Sequence, residues 1–253
     1  MIQPSAGSLG QIPARAATAR GLVLFGAPLR LDVSCVLGVG LGAWTFADTI
    51  LPAAAKGRPP VTYWAGGALT ALLLLLSVAL HEAAHCLAAR RAGLGVHRIE
   101  LSLVGGVTEL SRPPDTPGLT LGIALAGPAA SLAVAVATAL GHIVLVETGA
   151  DALAAATTAI LAVGNLGLAL LNLIPALPLD GGHALRALLW RVTRRPVDAT
   201  RMVQVAGRGV GGALLAIAVF SSASGDAAIA LWAALLGCVI HQYSGTSGPP
   251  GRP

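Results

Sequence analysis

Six stretches of this chain run almost without charge: Val33–Ala55, Val61–Ala89, Pro117–Val146, Ala152–Leu179, Gly209–Gly225 and Ala227–His241. Only Asp48 and Glu82 interrupt them. A membrane-spanning helix needs about 20 predominantly apolar residues, so the pattern predicts six transmembrane helices, with the first and last at the margin. Between the second and third the period changes. Ile99, Leu101 and Leu103 alternate with Arg98, Glu100 and Ser102, and Gly105-Gly106 follows, which is the signature of a β-hairpin over Val96–Leu110. The expected fold is therefore an all-α membrane protein, a six-transmembrane-helix bundle with a small β-hairpin between helices two and three. The hairpin is either a plain cytoplasmic loop or, if a reactive site lies beside it, an edge onto which an extended segment adds as a further strand.

Breaks in the apolar pattern add detail. Pro175 and Pro178 remove two backbone donors near the end of the fourth stretch, and Gly181-Gly182 follow, so that helix must break there. Irregular backbone at membrane depth survives only against protein or a water-filled cavity. Pro128, within Gly127-Pro128-Ala129-Ala130-Ser131, is expected to kink the third helix, whose small residues permit close packing. Ala184–Val192 reads as a short interfacial helix with one apolar and one basic face. Residues 1–30 read as a mobile cytoplasmic N-terminal arm, 31–243 as the membrane domain, and 244–253 as a disordered tail ending in Gly-Pro-Pro-Gly.

Composition agrees with this reading. Hydrophobic residues make up 55% and charged residues 11%, far below the roughly 25% charged residues of soluble domains. The net charge of +5 invites a nucleic-acid reading, which the placement of the charges removes. Arg15, Arg20 and Arg30 precede the first stretch, Arg90, Arg91, Arg98 and Arg112 follow the second, and Arg186, Arg191, Arg194, Arg195 and Arg201 follow the fourth. The loops after the third and fifth stretches hold only Glu147, Asp151 and Asp226, whereas Lys56 and Arg58 are exceptions. By the positive-inside rule both termini face the cytoplasm of a multi-pass membrane protein. The single lysine against 15 arginines, amid abundant Ala and Gly, points to a GC-rich bacterial genome and so to a bacterial plasma membrane. Cys35, Cys86 and Cys238 lie in three separate apolar stretches with no metal or redox spacing, and read as small buried hydrophobes.

Chemistry enters with His81-Glu82-Ala83-Ala84-His85. Two histidines four apart project from one face of a helix, one turn above each other, which suits two ligands of a single zinc ion. A glutamate beside them can take a proton from a water activated by that ion. A surface helix with two solvated histidines is the bland alternative, but this segment is apolar throughout. Glu82 is its only charge, and a carboxylate at membrane depth is costly unless paired or functional. His81 lies nine residues before Arg90, about 13 Å along a helix, so the motif sits inside the membrane toward the cytoplasmic face. Asp180, on the break after the fourth helix, is either the helix N-cap of the arginine-rich segment or the acidic third ligand the histidine pair lacks. Asn165 and Asn172, seven apart on one face of the fourth helix, either bridge helices or point together into a cavity.

His81–His85 in the second apolar segment, together with Asn172-Leu173-Ile174-Pro175-Ala176-Leu177-Pro178-Leu179-Asp180-Gly181-Gly182-His183, resembles the site-2 protease family of intramembrane zinc metalloproteases. The resemblance spans roughly residues 20 to 245 and is of a short form to which neither a PDZ nor a CBS domain fits. Ser131 departs from the asparagine that many members carry there. The resemblance implies one zinc per chain, held by His81, His85 and Asp180, with Glu82 as the catalytic base and acid. It implies that Asn172, and with it Asn165, binds the unwound substrate or the developing oxyanion. It also implies single-pass membrane substrates, such as anti-sigma factors, cut within the lipid bilayer, with a separate regulatory or adaptor protein as a further partner and no nucleic acid. A zinc transporter and an inactive membrane scaffold are the rival readings. The scatter of His97, His142 and His241 counts against a transport path, and the complete ligand-and-base set counts against loss of activity.

Overall fold

The computed structural model describes residues 22–103 and 105–245. Strands β1 (Val23–Leu24) and β2 (Ala27–Leu31) lead into α1 (Ser34–Thr45), which continues through a π-helical stretch, Phe46–Ile50, into α2 (Leu51–Ala54). The long α3 (Pro60–Arg91) follows, then β3 (Val96–Ser102) and β4 (Gly105–Leu110). Four helices bracket the rest of the fold: α4 (Pro117–Glu147), α5 (Ala152–Asn172), α6 (Asp180–Thr193) and α7 (Pro196–Ala223). The last element is α8 (Ala227–Gly245).

Local chemistry sets the helix starts. Proline, whose fixed φ suits the first helical turn, opens α3, α4 and α7. The Thr116 hydroxyl accepts from the Leu119 N–H to cap α4, and the Asp151 carboxylate accepts from the N–H groups of Leu153 and Ala154 to cap α5. Among the described residues, five helices are long and apolar enough to cross a membrane: Ser34–Ala54, Pro60–Arg91, Pro117–Glu147, Ala152–Asn172 and Pro196–Ala223. The sixth apolar helix, Ile229–Ser244, is shorter. Many large apolar side chains, among them Leu69, Leu72, Leu76, Val136 and Phe220, stand exposed on these helices, as expected where lipid rather than water is the solvent.

The sheet corrects the expectation of an all-α fold with one hairpin. Four strands pair in the order β1-β2-β3-β4, with β2 parallel to β3 and both flanking pairs antiparallel. Residues 23–31 therefore belong to the folded sheet, although residues 1–30 were expected to form an arm; residues 1–21 of that arm lie outside the described residues. Ala27 is fully buried with Ile99, Leu101 and Cys86. Its strand is too short, and too broken by Gly26 and Pro28, to show a period in sequence. At the other end Ser244 and Gly245 complete α8, whereas residues 246–253 lie outside the described residues.

Three further expectations change. The fourth helix breaks ahead of Pro175 as expected, ending at Asn172, but α6 begins at Asp180 rather than Ala184. Gly181 and Gly182 are helical, and their role is close approach instead of a turn. A Cβ on Gly181 would stand 2.2 Å from the Leu173 carbonyl oxygen, and one on Gly182 2.5 Å from the Ala176 carbonyl carbon. The bare backbone thus lets α6 start directly beneath the 173–179 loop. Cys35 and Cys86 are buried as expected, but Cys238 is exposed on α8.

Candidate metal centre

Helix α3 presents two faces. Ala79, Glu82 and Cys86 turn toward the sheet, while His81 and His85 turn toward α4 and α6. The histidine rings meet edge to face with centroids 4.9 Å apart. Asp180, the first residue of α6, reaches them from a point 95 residues beyond His85: its Oδ2 lies 3.1 Å from His81 Nε2 and 3.2 Å from His85 Nε2. The N-cap of α6 is Leu179, with no side-chain cap bond, so the helix-cap reading of Asp180 is set aside. All three side chains are shielded, with His81 3%, His85 8% and Asp180 16% exposed.

The other ring nitrogens are engaged by one face of α4. His85 Nδ1 lies 2.7 Å from the Ile123 carbonyl oxygen, and His81 Nδ1 lies 2.9 Å from Ser131 Oγ. A carbonyl only accepts, so His85 Nδ1 carries a proton, and in the neutral ring its Nε2 lone pair points into the site. Between these two contacts Gly127 leaves the space the rings occupy. A Cβ there would stand 2.2 Å from His85 Nε2 and 2.5 Å from His81 Nε2.

The resulting donor set fits a metal ion. Two imidazole nitrogens and a carboxylate oxygen lie within 4.8 Å of one another. Ligands bonded to a tetrahedral zinc at about 2.0–2.1 Å stand about 3.3 Å apart, close to the 3.1 and 3.2 Å observed from Asp180. Converging lone pairs repel unless a cation or protons sit among them. Imidazole ligands whose second nitrogen is hydrogen-bonded are the usual arrangement at such centres.

Glu82 is 5% exposed beside this set. Its Oε2 accepts from Thr108 Oγ1 at 2.8 Å. Gly106, two residues earlier on β4, lies so close that a Cβ would stand 2.3 Å from Glu82 Cγ. Thus the structure brings His81, Glu82, His85 and Asp180 together. The asparagines make other bonds: Asn165 Nδ2 donates to Ser77 Oγ at 3.0 Å and to the Leu161 carbonyl at 2.9 Å, and Asn172 Nδ2 to the Leu168 carbonyl at 3.0 Å. Sequence reasoning named Gly127 for helix packing, Ser131 for its departure from the family asparagine and Gly106 for the hairpin, and missed their contacts at the site together with Thr108. The signal for the α4 contacts was the i, i+4, i+8 spacing of Ile123, Gly127 and Ser131, a single face of one helix.

Comparison with known proteins accords with this geometry. The sequence model described as peptidase family M50 matches residues 69–148 and 137–218, more than half of the 253 residues. The chain belongs to that family. Rip3 of Mycobacterium tuberculosis is 40% identical over 200 residues, which cover 79% of this chain and 51% of Rip3. The protein sll0528 of Synechocystis is 33% identical over 227 residues, 88% of this chain and 58% of the relative. Both are named as zinc metalloproteases. The chain spans about half the length of these relatives. The solved structure of a site-2 protease from Methanocaldococcus jannaschii superimposes with a TM-score of 0.60 at 23% identity, over 91% of this chain and 97% of the other. That likeness is one of fold; membership of the family and the apolar helices mark a multi-pass membrane protein.

Proposed function

We propose that this protein is a zinc-dependent intramembrane endopeptidase, cleaving transmembrane segments of single-pass membrane regulators of the anti-sigma-factor kind. The observation that carries the reading is the convergence of His81 Nε2, His85 Nε2 and Asp180 Oδ2 beside the Glu82 carboxylate, with His81, Glu82 and His85 on a helix long enough to span a bilayer and Asp180 at the start of α6. Zinc held by those three atoms supplies a Lewis acid that activates water and polarises a peptide carbonyl. Glu82 takes the proton from the water at a carboxylate oxygen and passes it to the leaving amine. Ser131 and the Ile123 carbonyl orient the histidines by holding each Nδ1. Asn172 binds the unwound substrate, while Asn165, 1% exposed and bonded to Ser77, supports it by holding α5 against α3. The outer edge of β4 offers the substrate a strand to pair with.

In this reading both termini face the cytoplasm of a bacterial plasma membrane, with α8 as a sixth crossing. The membrane domain then begins at β1. A separate adaptor protein selects the substrate.

Membrane proteomes of wild-type and Glu82→Gln cells test the proposal. Single-pass fragments accumulate in the variant, whose purified protein keeps its zinc, whereas Asp180→Ala loses both zinc and cleavage. No accumulated fragment under any stress, together with equal zinc flux into wild-type and Glu82→Gln vesicles, rejects the protease in favour of a transporter.

A further inference from the structure

We propose that Thr108 is a positioning residue for Glu82, so that the sheet outside the helices forms part of the catalytic apparatus. The inference rests on the protease reading above. Its basis is the register of β4. Thr108 stands opposite Ile99 and Gly106 opposite Leu101. Directly paired residues share a sheet face, and Ile99 and Leu101 are 0% and 1% exposed against α3. Gly106 and Thr108 therefore look at α3 as well, at the level of Glu82.

Each contributes something different. Gly106 has no side chain, and only that lets the Glu82 carboxylate lie against the strand, since a Cβ would stand 2.7 Å from Oε1. Thr108 Oγ1 lies 2.8 Å from Glu82 Oε2 and 3.2 Å from the Glu82 carbonyl oxygen. One hydroxyl proton serves one acceptor at a time, and the shorter, charge-assisted bond to the carboxylate is the stronger. The bond ties down Oε2 and fixes the rotation of the carboxylate, leaving Oε1 to exchange the proton.

On the opposite face Arg98 bridges Glu109 at 3.0 Å and Glu100 at 3.2 Å, bracing β3 against β4. The orientation of the base is thus set by an edge strand that belongs to no transmembrane helix.

The test uses the full chain in detergent, with fluorescently labelled casein as an unfolded substrate whose peptide bonds are already exposed. Thr108→Val keeps the shape and removes the donor, and Thr108→Ser keeps the donor. Loss of a hydrogen bond to a charged group predicts a fall in kcat of about ten- to a hundredfold for Thr108→Val, with KM and zinc content unchanged. Thr108→Ser restores kcat to within about threefold of wild type, because its hydroxyl offers the same donor. As a readout independent of turnover, the infrared carboxylate band that Glu82→Gln removes shifts in Thr108→Val and stays in place in Thr108→Ser.

Wild-type kcat in Thr108→Val, or a Thr108→Ser as slow as Thr108→Val, overturns the positioning role. Loss of zinc alongside kcat in Thr108→Val overturns it too, since the residue would then be merely structural. If the wild type shows no cleavage that depends on Glu82, the protease reading fails and the catalytic role of Thr108 falls with it. An unshifted carboxylate band refutes the Thr108–Glu82 bond itself, whatever the activity.

Discussion

Gly127→Ala places one methyl group against the metal centre. The new carbon would stand 2.2 Å from His85 Nε2 and 2.5 Å from His81 Nε2, whereas ordinary contact begins at 3.4 Å. The rings, or α4 itself, must therefore yield by 3.4 − 2.2 = 1.2 Å. A metal site tolerates displacements of only about 0.2 Å in its ligand distances. The nitrogens cannot retreat freely, because the Ile123 carbonyl and Ser131 hold the far side of each ring from the same helix. At least one imidazole leaves the set. A structural zinc bound by four ligands carries about 10–16 kcal/mol, or roughly 3 kcal/mol per ligand, so affinity falls by about two orders of magnitude or more.

Competition with a chromophoric chelator at fixed pH measures that loss. Gly122→Ala is the control, since it sits on the same helix with nothing within 4 Å of the added carbon, and zinc affinity stays at the wild-type value. Wild-type affinity in Gly127→Ala, with Gly122→Ala also unchanged, would refute the assignment of the ligand set.

Three other predictions follow from single contacts. Ser131→Ala frees His81 Nδ1 and lowers zinc affinity about 10- to 100-fold by the same competition assay, while Ser131→Asn, which can still bond the ring, loses less. Tyr63→Phe removes a hydroxyl that donates to the Ala55 carbonyl at 2.6 Å and accepts from the Arg58 N–H at 3.1 Å; thermal unfolding in detergent shows a loss of about 1–3 kcal/mol. Asp151 is an exposed cap whose carboxyl is held below its ordinary value by the Leu153 N–H first, then by Ala154 and Arg58. A depressed pKa stabilises the fold above the unfolded value near 3.8 and ceases to do so as pH falls through the folded value. The melting-temperature gap between wild type and Asp151→Asn is therefore present at neutral pH and closes below that value.

What the sequence disclosed divides by the range of the interaction. The histidine pair was readable because helical spacing alone puts residues 81 and 85 on one face. The hairpin was readable because Ile99 and Leu101 alternate with charges. Asp180 offered two readings, and the choice depended on where α6 begins, which Pro175 and the tight packing of Gly181 and Gly182 decide together. Ser131 and Thr108 were invisible as partners. Spacing puts Ser131 on one face of its helix with Ile123 and Gly127, but neither that spacing nor the alternation around Thr108 says what the hydroxyl meets, since the partner lies on a helix 50 and 26 residues away. Strand β2 escaped for the same reason, since its pairing partner β3 lies on the far side of two apolar segments.

That pairing of Leu29–Leu31 with Ile99–Leu101 has a topological consequence. Strands of one sheet share one compartment, so the chain between Leu31 and Val96 must traverse the bilayer an even number of times. The rod from Ser34 to Ala54 and the rod from Pro60 to Arg91, each long and apolar enough to cross, satisfy that parity as two passages in opposite directions. A single crossing, or three, would tear β2 from β3. Three backbone registrations therefore act as a parity lock, and reporter tags placed at 57 and at 93 should fall on opposite sides of the membrane.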